Sequence, residues 1–363
     1  MASRNRSLVL FAAALAGVSA VGLSVLNAQQ MPPNPMSTRS APSPSPTATP
    51  PIKDDDEVIK IDTEVVNVLF TAQDRSRRLL TSLKKDDVTL FEDGKQQEIT
   101  DFSRQVDLPL SLAILIDTSA SQERTLPEEK SAAISFLETV VRPSKDEVAV
   151  ISFTGESTLE QGMTNNLPRL RRAVERVRFT PPAGYVGSGV YTGTPPISGT
   201  AGNAVGSTAI WDSIWVTADE VLGPAPDKTR RAIILLTDGV DTYSRKKLDE
   251  AVQASLRAEA IIYAIGIGDN FYSGVDKGAL NKISERTGGR AYFPKDEREL
   301  RDAFTQIQDE MRSQYLLAYE PTNQSRDGAY RRIEIQLTNP QLQKDKVKVT
   351  HRQGYFAKST PKK

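Results

Sequence analysis

The residues Asp117-Thr118-Ser119-Ala120-Ser121 place one carboxylate and two hydroxyls at alternate positions, directly after an almost wholly apolar run from Leu110 to Ile116. The pattern has two echoes further along. Arg231 to Leu236 is a second apolar run, closed by Thr237-Asp238-Gly239, and Thr208 stands just before a helical pattern that begins near Ile210. Every donor in this set is a hard oxygen, with no nitrogen or sulfur among them. Such a set suits Mg²⁺ or Mn²⁺, with Ca²⁺ as the alternative.

Placing these oxygens together is a task for the elements that carry them. Short continuous apolar runs read as strands buried on both faces, the form expected in a parallel sheet. An acid at the carboxyl end of such a strand lies where open α/β sheets hold their ligands. Asp117 and Asp238 are far apart in sequence and can meet only if their strands are neighbours, as at a topological switch point. Each piece alone has a plainer reading. Ser119 and Ser121 can cap a turn, Thr208 can cap a helix, and Asp238-Gly239 can form an ordinary turn. Asp212 and Asp241 read as a first-turn helix acid and a loop acid.

Asp-x-Ser-x-Ser, then Thr208, then Thr-Asp-Gly, in that order and on those element types, resembles the von Willebrand factor A domain. The resemblance covers roughly Leu108 to Gln314. It implies a doubly wound, mainly parallel, Rossmann-like α/β sheet bearing a metal-ion-dependent adhesion site. In that site Ser119, Ser121 and Thr208 contact the metal, while Asp117 and Asp238 sit mostly one shell out. The implied role is protein binding without catalysis, in which an Asp or Glu of the partner completes the coordination. The physics agrees: a divalent ion held mainly by neutral oxygens keeps most of its charge and attracts an external carboxylate.

Two other readings stand beside this one. The chain could be a structural envelope protein with an idle metal site, or a Mg²⁺-dependent hydrolase. Phosphoaspartate hydrolases place a second acid two residues after the first, where this chain has Ser119. A serine hydrolase needs a base, and the one histidine, His351, lies in a late strand-like stretch and reads as a solvated strand residue.

Composition narrows the setting. Lys plus Arg and Asp plus Glu balance at 46 each, so no electrostatic footprint for nucleic acid is present. The absence of cysteine removes disulfides, thiolate metal sites and lipoprotein anchoring. Arg4 and Arg6 precede an uncharged run from Ser7 to Leu26, so residues 1–30 read as a signal peptide or an uncleaved membrane anchor. The chain is therefore expected to be exported and to be periplasmic, envelope-anchored or secreted. Residues 31–53 are rich in Pro, Ser and Thr and form a spacer without a core. Oligomeric state is left open.

Strand patterns flank the α/β region. In residues 54–107, Val66, Val68 and Phe70 share a face, and Asp93-Gly94 marks a hairpin whose return strand runs through Gln97, Ile99 and Phe102. In residues 315–363, Ile333, Ile335 and Leu337 alternate, as do Val347 and Val349. Each segment is too small to bury a core alone. One smaller β-sandwich-like module built from both ends is the expectation, beside an α/β domain over 108–314. Within that domain, Pro127-Glu128-Glu129 suits a first helical turn with acids facing the dipole. Ile210, Ile214, Ala218 and Val221 form a helix stripe, and the glycine-rich stretch 181–207 should overhang the binding face. The loops bearing the site residues are expected to face solvent.

Overall fold

The computed structural model describes residues 65–359 apart from 106, 180, 182–206, 227–228 and 269–273. The N-terminal run, the Pro/Ser/Thr-rich spacer and nearly all of the glycine-rich loop lie outside the described residues. No helix among the described residues is long and apolar enough to cross a membrane.

The chain opens with four strands, β1 (Val66–Gln73), β2 (Val88–Glu92), β3 (Lys95–Gln97) and β4 (Ile99–Gln105). Asp93 and Gly94 both take positive φ, 48° and 80°. That pair of angles closes the β2–β3 hairpin as a two-residue turn of the kind Asp-Gly favours. The expected single return strand is in fact two. It breaks at Glu98, and β3 and β4 belong to different sheets, so the chain turns a sandwich corner there.

The α/β region follows: β5 (Leu110–Asp117), α1 (Leu126–Val140), β6 (Glu147–Phe153), β7 (Ser157–Thr164), α2 (Leu167–Arg176), α3 (Ile210–Val216), β8 (Arg230–Thr237), α4 (Leu248–Arg257), β9 (Ala260–Gly266), α5 (Lys277–Thr287), β10 (Ala291–Tyr292) and α6 (Glu297–Arg312). Its six strands are ordered β10-β9-β8-β5-β6-β7. All pair in parallel except β7, an antiparallel edge strand. Every residue of β5, β8 and β9 is buried, because helices cover both faces. Leu112, Ile114 and Ile116 pack with α1, α2 and α6 in one cluster, and Ala113 and Leu115 pack with α3, α4 and α5 in the other. Each such leucine or isoleucine contributes roughly 1.5–3 kcal/mol by leaving water.

The helix carrying Ile210 departs from its expected stripe. After Val216 the backbone widens into a π-helical stretch, Thr217–Leu222. The extra residue per turn moves the buried position from Val221, which is half-buried, to Leu222, which is fully buried.

The last strands are β11 (Gln314–Tyr319), β12 (Tyr330–Leu337), β13 (Lys348–His351) and β14 (Gly354–Phe356). They join the first four in two antiparallel sheets, β13-β1-β11-β4 and β14-β12-β2-β3. A single apolar cluster draws on both, including Val68 and Leu317 from one sheet and Leu90, Ile333 and Ile335 from the other. Both ends of the chain therefore build one module, as neither could alone. Within its core the buried Glu92 carboxylate accepts hydrogen bonds from Tyr319 Oη at 2.7 Å and Tyr355 Oη at 2.9 Å. His351 is not the solvated residue its sequence context suggests. Its ring is half-buried, with Nδ1 2.7 Å from the Arg352 carbonyl and Nε2 accepting from Ile335 N at 3.4 Å.

Candidate metal centre

β5 and β8 are immediate parallel neighbours, with Ile116 opposite Leu236. Asp117 and Asp238 therefore emerge side by side at the carboxyl ends of the strands where the sheet order reverses: from β5 the chain steps to β6 on one side, and β8 lies on the other. This is the switch point at which open α/β sheets form their crevice.

Asp117 is the last residue of β5 and is wholly buried. Its Oδ1 accepts from Ser119 N at 2.9 Å, which curls the chain back so that the serine hydroxyls follow the acid. Ser119 Oγ and Ser121 Oγ are 3.1 Å apart, placing two hydroxyl oxygens together. Oδ2 of Asp117 accepts from Thr237 Oγ1 at 2.6 Å, so the Thr before Asp238 ties the two strand ends together. Sequence patterning did not single out Thr237 for this role. Its position beside the strand-end acid was the available sign.

Thr208 reaches this end of the sheet through its backbone. Its carbonyl accepts from Thr242 N at 2.9 Å and Tyr243 N at 3.0 Å, and its N–H donates to Thr242 Oγ1 at 2.8 Å. The next residue, Ala209, donates to Thr154 O just past β6 at 2.7 Å. Asp241 and Ser244, from the loop after Asp238, cap α3: Ile210 N donates to Asp241 Oδ1 at 2.8 Å and Trp211 N to Ser244 Oγ at 3.0 Å. Asp212, in the first turn of α3, returns the tie by accepting from Arg245 N and Lys246 N. Both oxygens of Asp212 and Oδ1 of Asp241 are engaged in these ties, and the two residues stand in the helix turn and the loop where the sequence placed them.

The expected solvent-facing loops are instead deep. Asp117, Ser119, Thr208 and Asp238 are all buried, and Ser121 is half-buried. Burial of a carboxylate costs free energy unless charge or hydrogen bonds offset it. Desolvation, reinforced by the charge of Asp238, pushes Asp117 up to about 7. On α1, Glu129 is also fully buried, and desolvation pushes it up to about 8, with Asp117 and Asp238 adding to the effect and the Thr125 hydroxyl opposing it. None of the principal charges acting on Asp117 or Glu129 is a cation. A buried cluster of acids without a counter-charge takes up protons or a cation.

Among the described residues there is no group of three or more His, Cys, Asp or Glu side chains that could hold a metal ion. A cation here depends on hydroxyl oxygens as well as carboxylates. Serine and threonine hydroxyls with two acids fit a hard divalent ion. His351 lies on β13 of the β module, not among these oxygens.

Two von Willebrand factor type A domain families match the sequence, one over residues 112–240 and the other over 200–306. Together with the mainly parallel sheet and its flanking helices, they make this chain a von Willebrand factor type A domain protein. Similar solved structures include the von Willebrand factor type A protein from Catenulispora acidiphila, at 15% identity and a TM-score of 0.43, covering 75% of this chain and 76% of that one. Another is the hypothetical protein BatB from Bacteroides thetaiotaomicron, at 16% identity and a TM-score of 0.41, covering 56% of this chain and all of that one. A third is proximal thread matrix protein 1 from the mussel byssus, whose metal-ion-dependent adhesion motif is occupied by zinc. It is 17% identical with a TM-score of 0.44, and the match covers 60% of this chain. The chain spans about half the length of that mussel protein (49%). No curated protein sequence matches the chain.

Proposed function

We propose that this protein is a metal-dependent protein-binding module of the cell envelope or exterior. Ser119, Ser121 and Thr208 would contact Mg²⁺ or Mn²⁺ through their hydroxyls, and Asp117 and Asp238 would orient those hydroxyls and bound water. The ion supplies an electron-poor centre for an external carboxylate. The chain's own residues fix where that carboxylate docks: on the carboxyl rim of the sheet, between the Asp117–Ser121 loop and the Thr208 and Asp238 loops. The partner is a protein presenting Asp or Glu at this rim.

One observation carries the reading. Two buried carboxylates and a pair of serine hydroxyls 3.1 Å apart sit at the switch point, with no cation among the main charges on Asp117. Isothermal titration calorimetry should show saturable Mg²⁺ or Mn²⁺ binding that Ser119→Ala and Thr208→Ala each weaken and Asp117→Ala abolishes. Capture of a partner from envelope extract should be lost in EDTA and in the same variants, since two ligands at coupled sites affect each other reciprocally. Equal capture by Asp117→Ala in excess EDTA would show that recognition bypasses the metal.

A further inference from the structure

Behind the serine loop lies a hydrogen-bonded chain that neither the strand-end motif nor the proposed coordination uses. Gln122 is fully buried. Its Nε2 donates to the Ile267 carbonyl just past β9 at 3.1 Å and approaches Ser121 Oγ at 3.5 Å. Thr125 Oγ1 lies between Gln122 Oε1 at 3.0 Å and Glu129 Oε1 at 2.7 Å, so its single proton is shared between two acceptors. Glu129 is itself wholly buried, and its Oε2 has no hydrogen-bond partner among the described residues. The largest charges acting on it are those of Asp117, Asp238 and Glu128.

An apolar residue would be the ordinary occupant of such a helix position, since α1 presents Ala132, Ala133 and Phe136 to the same core. A half-partnered acid is a poor structural element there. It becomes favourable when a divalent cation sits at the mouth of the acid cluster, because the attraction is then exerted through a dry, weakly screening interior. Glu129 does not join a three-acid ligand group, so it acts from behind the hydroxyls, as partners of metal ligands do elsewhere.

We infer that Glu129 is an outer positioning carboxylate of the same centre, which sets the Ser121 loop through Thr125 and Gln122 and strengthens the hold on a divalent cation by its charge. This rests on the metal reading above. Glu129→Gln is nearly isosteric and can still accept from Thr125, so it removes the charge with little change of shape, with an NH2 group in place of one oxygen. Mg²⁺ affinity measured by calorimetry should fall about 10–100-fold, as for other partners of metal ligands. In EDTA the variant should unfold at the wild-type temperature or higher, because no charge is buried, and the stabilisation by added Mg²⁺ should shrink.

Thr125→Val keeps the charge and cuts its tether to Gln122. It should weaken Mg²⁺ binding in the same direction, and it carries the test if Glu129→Gln does not fold. Wild-type Mg²⁺ affinity in either folded variant overturns the inference. So does a Glu129→Gln protein that is destabilised equally with and without Mg²⁺, since that marks a purely structural residue. If the wild type itself binds no divalent ion while remaining folded, the metal reading fails and this inference with it.

Discussion

Two acids dominate the site at the residue scale, and both are held in environments that oppose their ionisation. In an unfolded chain such carboxyls titrate near 4. In the folded, metal-free protein Asp117 titrates near 7 and Glu129 near 8. Between those limits the folded state binds more protons than the unfolded one, so stability falls as pH rises from about 4 to about 8 and then levels off. Each carboxyl accounts for a few kcal/mol, at ~1.4 kcal/mol per pH unit of displacement. A bound divalent ion favours the ionised forms and should flatten that slope. Melting temperatures in EDTA should therefore decline across this range, and melting temperatures in Mg²⁺ should not. Parallel curves with and without Mg²⁺ would mean that these acids do not face the ion. At this scale the alternation of Asp117, Ser119 and Ser121 was readable because it is a local pattern. Glu129 was not, since an acid in a first helical turn looks the same whether it faces the dipole in water or the core. Only the packing of α1 against the sheet distinguishes the two.

Elements position these residues through ties that cross between loops. The cap of α3 comes from Asp241, which follows β8 rather than preceding the helix, and its Oδ1 holds both Ile210 N and the Ser244 hydroxyl at 2.8 and 2.5 Å. Asp241→Ala should cost about 0.5–2 kcal/mol of stability in urea unfolding, the range of a lost N-cap. It should also weaken Mg²⁺ binding although Asp241 lies outside the proposed ligand set, because Thr208 enters the helix through this cap. Unchanged Mg²⁺ affinity would leave the Thr242 bonds as sufficient to hold Thr208. The strands β5, β8 and β9 were legible as uninterrupted apolar runs, since burial on both faces leaves no polar alternation. The break between β3 and β4 at Glu98 and the π-helical turn after Val216 were not legible. The first moves the strand from one sheet to the other while its in/out alternation continues through Glu98. The second shifts the buried face by one residue between two apolar side chains.

The whole molecule joins its sheets through the chain's return. α6 ends at Arg312 and β11 begins at Gln314, so the last helix of the α/β unit runs straight into a central strand of the β module. The seam is held by Gln73 Nε2 donating to Glu310 Oε1 at 2.8 Å, and by Arg352, which reaches the Asn67 carbonyl at 2.7 Å and Glu259 Oε1 at 3.2 Å. That the two end segments would combine followed from their size, whereas their strand order depends on pairings remote in sequence. Deleting Thr322–Lys363 removes β12, β13 and β14. The truncation takes away one of the two partners of β2, leaving β3, and one of the two partners of β1, along with Ile333, Ile335 and Tyr355 from the shared core. At roughly 1.5–3 kcal/mol for each buried side chain, the loss is comparable to the whole margin of an ordinary domain, about 5–15 kcal/mol. Brief protease treatment of the truncated protein should then cut within residues 66–105, which the intact chain protects. Protection of that segment at wild-type rates would mean that β1 and β4 are held by β11 alone, and that β12 to β14 add surface without securing the module.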